Sequence, residues 1–141
     1  MIVLDTNVVS EPMKRAPDPA VRDWLDRQNP ETLYLTAVSL AELMAGLDAL
    51  PDGKRKDGLR AGSTQLLLSL FGPRILPFDQ ESALAFCKVQ SQARAANYTM
   101  PFADAQIAAI ALRHGFSVAT RDTAPFLAAG VAVIDPWREG K

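Results

Sequence analysis

The sequence predicts an α/β layered fold with a mainly parallel sheet. Three features predict it. Short unbroken apolar runs suit buried strands, helical segments alternate with those runs, and proline or glycine closes several of the helices. In sheets of this kind the ligand crevice lies beyond the carboxyl ends of the strands, so the residue that follows each strand is where chemistry is sought.

Ile2 to Leu4 is the first such run and ends at Asp5. A loop or short helix follows, broken by Pro12, Pro17 and Pro19. Asp18 can cap a helix that has Pro19 at its first position, with Val21, Trp24 and Leu25 as its apolar stripe, ending before Asn29 and Pro30. Leu33 to Leu35 reads as the second strand, and Thr36 to Leu50 as a helix closed by Pro51, Asp52 and Gly53. Leu59 to Phe71 is apolar at helical spacing and stops at Gly72 and Pro73. A third strand, Ile75 to Phe78, precedes a helix from Asp79 to Ala96. Pro101 to His114 is a further helix, with Gly115 as its stop. Phe116 to Ala119 and Val131 to Ile134 are strands on either side of a short helix around Ala124 to Ala129.

At 141 residues the chain has the length of one domain, read as spanning 1–141, and it should bury roughly two-thirds of its unfolded surface. Its 48% hydrophobic and 22% charged residues belong to a globular chain, not a disordered one. No apolar stretch approaches the roughly 18 residues of a membrane span, and no basic segment precedes Ile2. The single cysteine, Cys87, excludes an internal disulfide or a multi-cysteine zinc site, and the single histidine, His114, excludes a histidine-cluster metal site. A reducing cytoplasm fits this usage. Lys plus Arg number 15 against 16 Asp plus Glu, a net charge of -1, so a nucleic-acid partner must be held locally rather than by bulk attraction.

Four acids fall where the crevice is expected. Asp5 follows the first strand, Asp122 lies just past the Phe116 to Ala119 strand, Glu42 is early in the helix after the second strand, and Asp104 is in the first turn of the helix opening at Pro101. Each also has a structural reading. Asp104 complements a helix dipole, Ser39 to Glu42 matches a capping box, and Asp5 or Asp122 can cap the helix that follows it. Gathered on one rim, however, four carboxylates repel and raise one another's pKa unless a cation compensates. Mg²⁺ or Mn²⁺ takes oxygen ligands and requires no histidine, and such a site hydrolyses phosphodiesters in the manner of two-metal nucleases.

Four segments carry a resemblance: Ile2-Val3-Leu4-Asp5-Thr6-Asn7, Ser39-Leu40-Ala41-Glu42-Leu43, Pro101-Phe102-Ala103-Asp104-Ala105-Gln106-Ile107-Ala108 and Ala119-Thr120-Arg121-Asp122. In this order, across essentially the whole chain, they resemble a PIN domain, and most closely the VapC and FitB-like toxins of bacterial type II toxin–antitoxin modules. The resemblance implies a three-layer α/β/α fold. It implies metal-coordinating, catalytic acids at Asp5, Glu42, Asp104 and Asp122, with supporting roles for Thr6 and Asn7. It further implies an Mg²⁺- or Mn²⁺-dependent endoribonuclease that forms a homodimer. A cognate antitoxin would neutralise it, wrapping it with a C-terminal segment while an N-terminal domain binds operator DNA.

Lys54, Arg55, Lys56 and Arg60 form the only compact basic cluster, expected between two helices, where they either receive RNA phosphates or are simply solvated. Lys14 and Arg15 make a weaker candidate of the same kind. Arg121 either contacts phosphate or pairs with Asp122, because arginine serves both with the same bidentate geometry. Trp24 reads as core, and Trp137 as packed rather than as an RNA or partner contact. Cys87 reads as a small apolar residue, and His114 as a helix-end cation suited to the dipole. Leu66, Leu67, Leu68, Leu70 and Phe71 are more apolar than one buried stripe requires, which makes them either a partner surface or a central core helix.

Neither a Gly-x-Ser-x-Gly elbow nor a Walker loop is present, which excludes acyl transfer and nucleotide-driven chemistry. The four ordered acids and the whole-length resemblance make a metal-dependent endoribonuclease toxin the leading expectation. The alternative is an antitoxin-binding subunit of a DNA-binding autoregulatory complex with little or no nuclease activity, in which the acids dock a basic segment. A third reading is a metal-dependent phosphatase or DNase, although a haloacid-dehalogenase type would need an Asp where this chain has Asn7.

Overall fold

A computed structural model of the chain describes residues 1–139. Five strands, β1 (Ile2–Leu4), β2 (Leu33–Thr36), β3 (Ile75–Leu76), β4 (Ser117–Ala119) and β5 (Val133–Ile134), form one sheet in the order β3-β2-β1-β4-β5. Every neighbouring pair is parallel. The connecting helices are α1 (Thr6–Ser10), α2 (Pro19–Asp26), α3 (Ala37–Asp48), α4 (Lys54–Phe71), α5 (Gln80–Ala95), α6 (Phe102–His114) and α7 (Thr123–Ala128).

Strand alternation divides the core into two halves. Val3 of β1 and Val118 of β4 pack with Val89 of α5, Ile107 and Ile110 of α6 and Phe126 of α7. Their neighbours Leu4 and Ala119 face the other way, into Val8, Val21, Trp24, Leu43, Leu67 and Phe71 from α1 to α4. Helices thus cover both faces, the three-layer arrangement implied by the resemblance. Ile107, Ile110 and Phe126 are wholly buried, each contributing roughly 1.5–3 kcal/mol of transfer free energy.

The helix boundaries follow local chemistry. Asp18 caps α2 by accepting from the Ala20 N–H at 2.9 Å, and Asp79 caps α5 by accepting from the Ser82 N–H at 2.9 Å. Gly115 ends α6 at φ +71°, a left-handed conformation that strains any residue carrying a Cβ. Both Trp24 and Trp137 are buried, as expected.

Several expectations need correction. β3 stops at Leu76 because Pro77 cannot donate to a ladder, and Phe78 turns instead to pack edge-on against Phe86 of α5. β5 starts only at Val133, since the Val131 N–H is used on Phe126 O to close α7. α4 begins at Lys54, not Leu59, because its first turns are polar and show no apolar period. Only Leu67 and Phe71 of its apolar cluster are core, whereas Leu66, Leu68 and Leu70 are about half exposed, so α4 is not a central core helix. Cys87, read as a small apolar residue, is exposed. His114 does end α6 as expected, with its ring stacked on Phe116, and burial, then the neighbouring Arg113 charge, lowers its pKa. Among the described residues no helix is long and apolar enough to cross a membrane.

Candidate active site

Parallel strands end on one rim, where α1, α3 and α7 begin directly after β1, β2 and β4. Asp5 stands at the centre of that rim, its backbone N–H donating to Ala119 O of β4 at 2.9 Å. It is buried, and both carboxylate oxygens are engaged. Oδ1 accepts from the Thr6 N–H at 2.8 Å, which caps α1, while Oδ2 accepts from Thr120 Oγ1 at 2.8 Å and from Asn7 Nδ2 at 3.5 Å. One oxygen of this side chain therefore caps α1 while the other faces Thr120 and Asn7.

Thr120 is the residue that sequence reasoning left without a role. Its hydroxyl donates to Asp5 and accepts from the Asp122 N–H at 3.0 Å, so one fully buried group ties the first acid to the loop that carries the last. The available signal was a hydroxyl residue lying between a strand end and an acid. Asn7 completes the tie, its Nδ2 lying 3.4 Å from Thr120 Oγ1 and its Oδ1 accepting from the Arg121 N–H at 3.3 Å.

Glu42 is exposed, and its Oε1 accepts from Thr6 Oγ1 at 2.8 Å. The capping box anticipated at Ser39 and Glu42 does not form. Thr36 is the N-cap of α3, accepting from the Ser39 N–H at 3.0 Å, and Ser39 lies inside the helix with its hydroxyl buried and unpartnered. Asp104 sits half-buried in the first turn of α6, and Asp122 occupies the N-cap position of α7 without making a side-chain cap bond.

The four carboxylates lie in one another's field. Asp104 is pushed up to about 6, first by burial and then by the charges of Asp5, Asp122 and Glu42. Asp5 is raised mainly by burial, with smaller contributions from Glu42 and Asp122, against the lowering effect of its bonds from Thr120 and Thr6. Among the described residues no Lys or Arg forms an ion pair with any of the four. Nor, among those residues, are three acid, His or Cys side chains already drawn together as a metal cage. An uncompensated set of anionic oxygens nevertheless suits a hard divalent cation.

The basic cluster is not brought to this rim. Lys56 pairs with Asp52 at 3.0 Å and with Asp48 at 3.8 Å, and Arg60 pairs with Asp48 at 3.2 Å. Asp48 lies six residues beyond Glu42 on α3, about 9 Å along the axis. Lys14 is taken up by Glu11 at 2.7 Å. Arg121 neither pairs with Asp122 nor points into solvent alone; its guanidinium carbon lies 5.3 Å from the centroid of the Trp137 ring.

Among protein-family models, the PIN domain matches residues 2–131. The chain belongs to the PIN-domain family. Its sequence is 47% identical over 137 residues to the VapC ribonuclease Y4jK of Sinorhizobium fredii, covering 97% of this chain and 98% of that protein. It is 45% identical over 139 residues to the toxin FitB of Neisseria gonorrhoeae, covering 99% and 100%. The solved structure of FitAB bound to an IR36 DNA fragment superposes on this PIN domain with a TM-score of 0.96 at 43% identity, over 100% of this chain and 99% of that one. The resemblance seen in the four sequence motifs is thus borne out at the level of the family.

Proposed function

We propose that this PIN domain is an Mg²⁺- or Mn²⁺-dependent endoribonuclease acting as the toxin of a type II toxin–antitoxin module. The observation that carries the reading is Asp104, a half-buried carboxyl pushed up to about 6 in part by Asp5, Asp122 and Glu42. Such repulsion is costly in a protein without a compensating ion, and sites that accept this cost are commonly functional. Relatives named ribonuclease and toxin support it.

Asp5, Glu42, Asp104 and Asp122 are the groups proposed to hold the ion. When bound, it supplies a water nucleophile at neutral pH and neutralises charge developing on the phosphodiester. Thr120 and Asn7 orient the Asp5 carboxylate, and Thr6 orients Glu42, so that the ligand oxygens are placed by second partners rather than by flexible stems. Lys54, Arg55 and Lys56 would meet only RNA that extends past the Asp48 end of α3. The proposed partners are an RNA substrate, a second copy of the chain, and a cognate antitoxin that carries the pair to operator DNA, as FitAB is found on a DNA fragment. The chain is proposed to act as one unit in the cytoplasm.

The test is cleavage of a structured RNA by purified protein with Mg²⁺ or Mn²⁺. Cleavage is expected, and Asp5→Asn or Asp104→Asn should each lower it by at least about 100-fold, with little added in the double variant because the acids act as a unit. Full cleavage by the folded variants would remove the assigned site. No cleavage by the unaltered protein, with antitoxin binding intact, would instead assign the chain to the binding role.

A further inference from the structure

Arg121 directly precedes Asp122 in the chain, and its side chain pairs with none of the four acids among the described residues. Its backbone is fixed to the site, with its N–H on Asn7 Oδ1 at 3.3 Å and the next N–H, that of Asp122, on Thr120 Oγ1 at 3.0 Å. Its side chain is fixed from the other side, over the ring of Trp137 at 5.3 Å. The backbone that carries that ring is held in a turn. Trp137 is buried, its backbone N–H donates to Asp135 Oδ1 at 3.0 Å while its indole Nε1 has no partner, and the backbone N–H groups of Arg138 and Glu139 close the same turn on Asp135 O.

A guanidinium held over an aromatic ring by cation–π attraction gives up none of its N–H donors to hydrogen bonds with that ring. The in-plane N–H donors stay available, in the fork geometry that matches two phosphate oxygens. The chain as a whole carries a net charge of -1, and the acids repel a polyanion further, so local cations at the rim must offset that repulsion. Lys56 and Arg60 do not meet this need, being bound to Asp48 and Asp52. We infer that Arg121, held on Trp137 as a shelf, receives an RNA phosphate flanking the bond to be cut. The inference rests on the nuclease reading and adds a substrate-binding residue to it.

The test measures affinity of a short single-stranded RNA for the Asp104→Asn protein, with and without a second change, over a series of salt concentrations. Arg121→Ala should weaken binding about tenfold and lower the salt slope by about one phosphate contact. Arg121→Lys should keep the slope but lose several-fold in affinity, because lysine neither forks nor stacks as arginine does. Trp137→Phe, which keeps an apolar ring, should show a smaller loss with the slope intact. If Arg121 merely fastens the C-terminal turn, melting temperature falls while affinity and slope do not, and the inference is overturned. Absence of RNA binding in every protein overturns it as well. Cleavage by the unaltered chain is scored separately: a nuclease indifferent to Arg121 sinks this inference alone, whereas an Arg121-dependent binder that never cuts sinks the nuclease reading and, with it, the placement of Arg121 beside a scissile bond.

Discussion

The hydroxyl of Thr120 stands 2.8 Å from Asp5 Oδ2 and also accepts the Asp122 N–H at 3.0 Å. Two acids from opposite ends of the chain are thereby set by one buried atom. Thr120→Val keeps the shape but removes donor and acceptor together, leaving a buried carboxylate oxygen and an amide short of a partner. Cleavage should fall by about 10–100-fold, the range for groups that orient metal ligands, and stability by about 1–3 kcal/mol. Thr120→Ser should recover most of both. Equal rates for Val and Ser would show that this bond does not position Asp5.

Asp104 should oppose folding as long as no cation accompanies it. Its pKa is raised from 3.8 to about 6, so above that range the charged carboxylate destabilises the native state, and protonation on lowering the pH relieves it. Taken at face value the shift is worth roughly 3 kcal/mol. Solvent reaches the half-buried group, which reduces the figure to about 1 kcal/mol. Asp104→Asn in the presence of a chelator at neutral pH should therefore raise Tm by about 2–4 °C, while with Mg²⁺ or Mn²⁺ supplied the same variant should lose cleavage. A lower Tm would contradict the repulsion.

Asp79 gives the opposite pH sign in a separate part of the molecule. Hydrogen bonds from the Ser82 side chain and backbone, and then the Arg113 charge, hold its carboxyl below the usual range. Its contribution to stability is complete above the unfolded value of about 4 and is lost as pH falls through the folded value. Asp79→Asn keeps an acceptor for the α5 cap but cannot titrate. Melting curves below about pH 4 should fall more steeply for the unaltered protein than for the variant; parallel curves would show that Asp79 is not the group responsible.

What the sequence made legible follows from where each residue takes its information. Asp18 before Pro19 and Gly115 after His114 are local chemistry, and α2 and α6 start and stop there. The order of acids after strands was legible because a parallel sheet sends every strand end to one rim, and β1, β2 and β4 do so. Non-local competition was not legible. Ser39 and Glu42 have capping-box spacing, yet Thr36 takes the cap and Thr6, from another helix, takes Glu42. The first turns of α4 carry no apolar period, so the fate of Lys56 and Arg60 depended on Asp48 in a neighbouring helix. Arg121 on Trp137 joins the rim to the C-terminal turn, a contact that no spacing encodes.

Asp5, Glu42, Asp104 and Asp122 are proposed to form a shared site for a divalent cation, and calorimetric titration of the purified protein with Mn²⁺ measures it without any substrate. Saturable binding is predicted, together with its loss in Asp5→Asn and Asp104→Asn and its retention in Arg121→Ala. No heat of binding at millimolar Mn²⁺, or binding that survives both acid substitutions unchanged, would contradict the account.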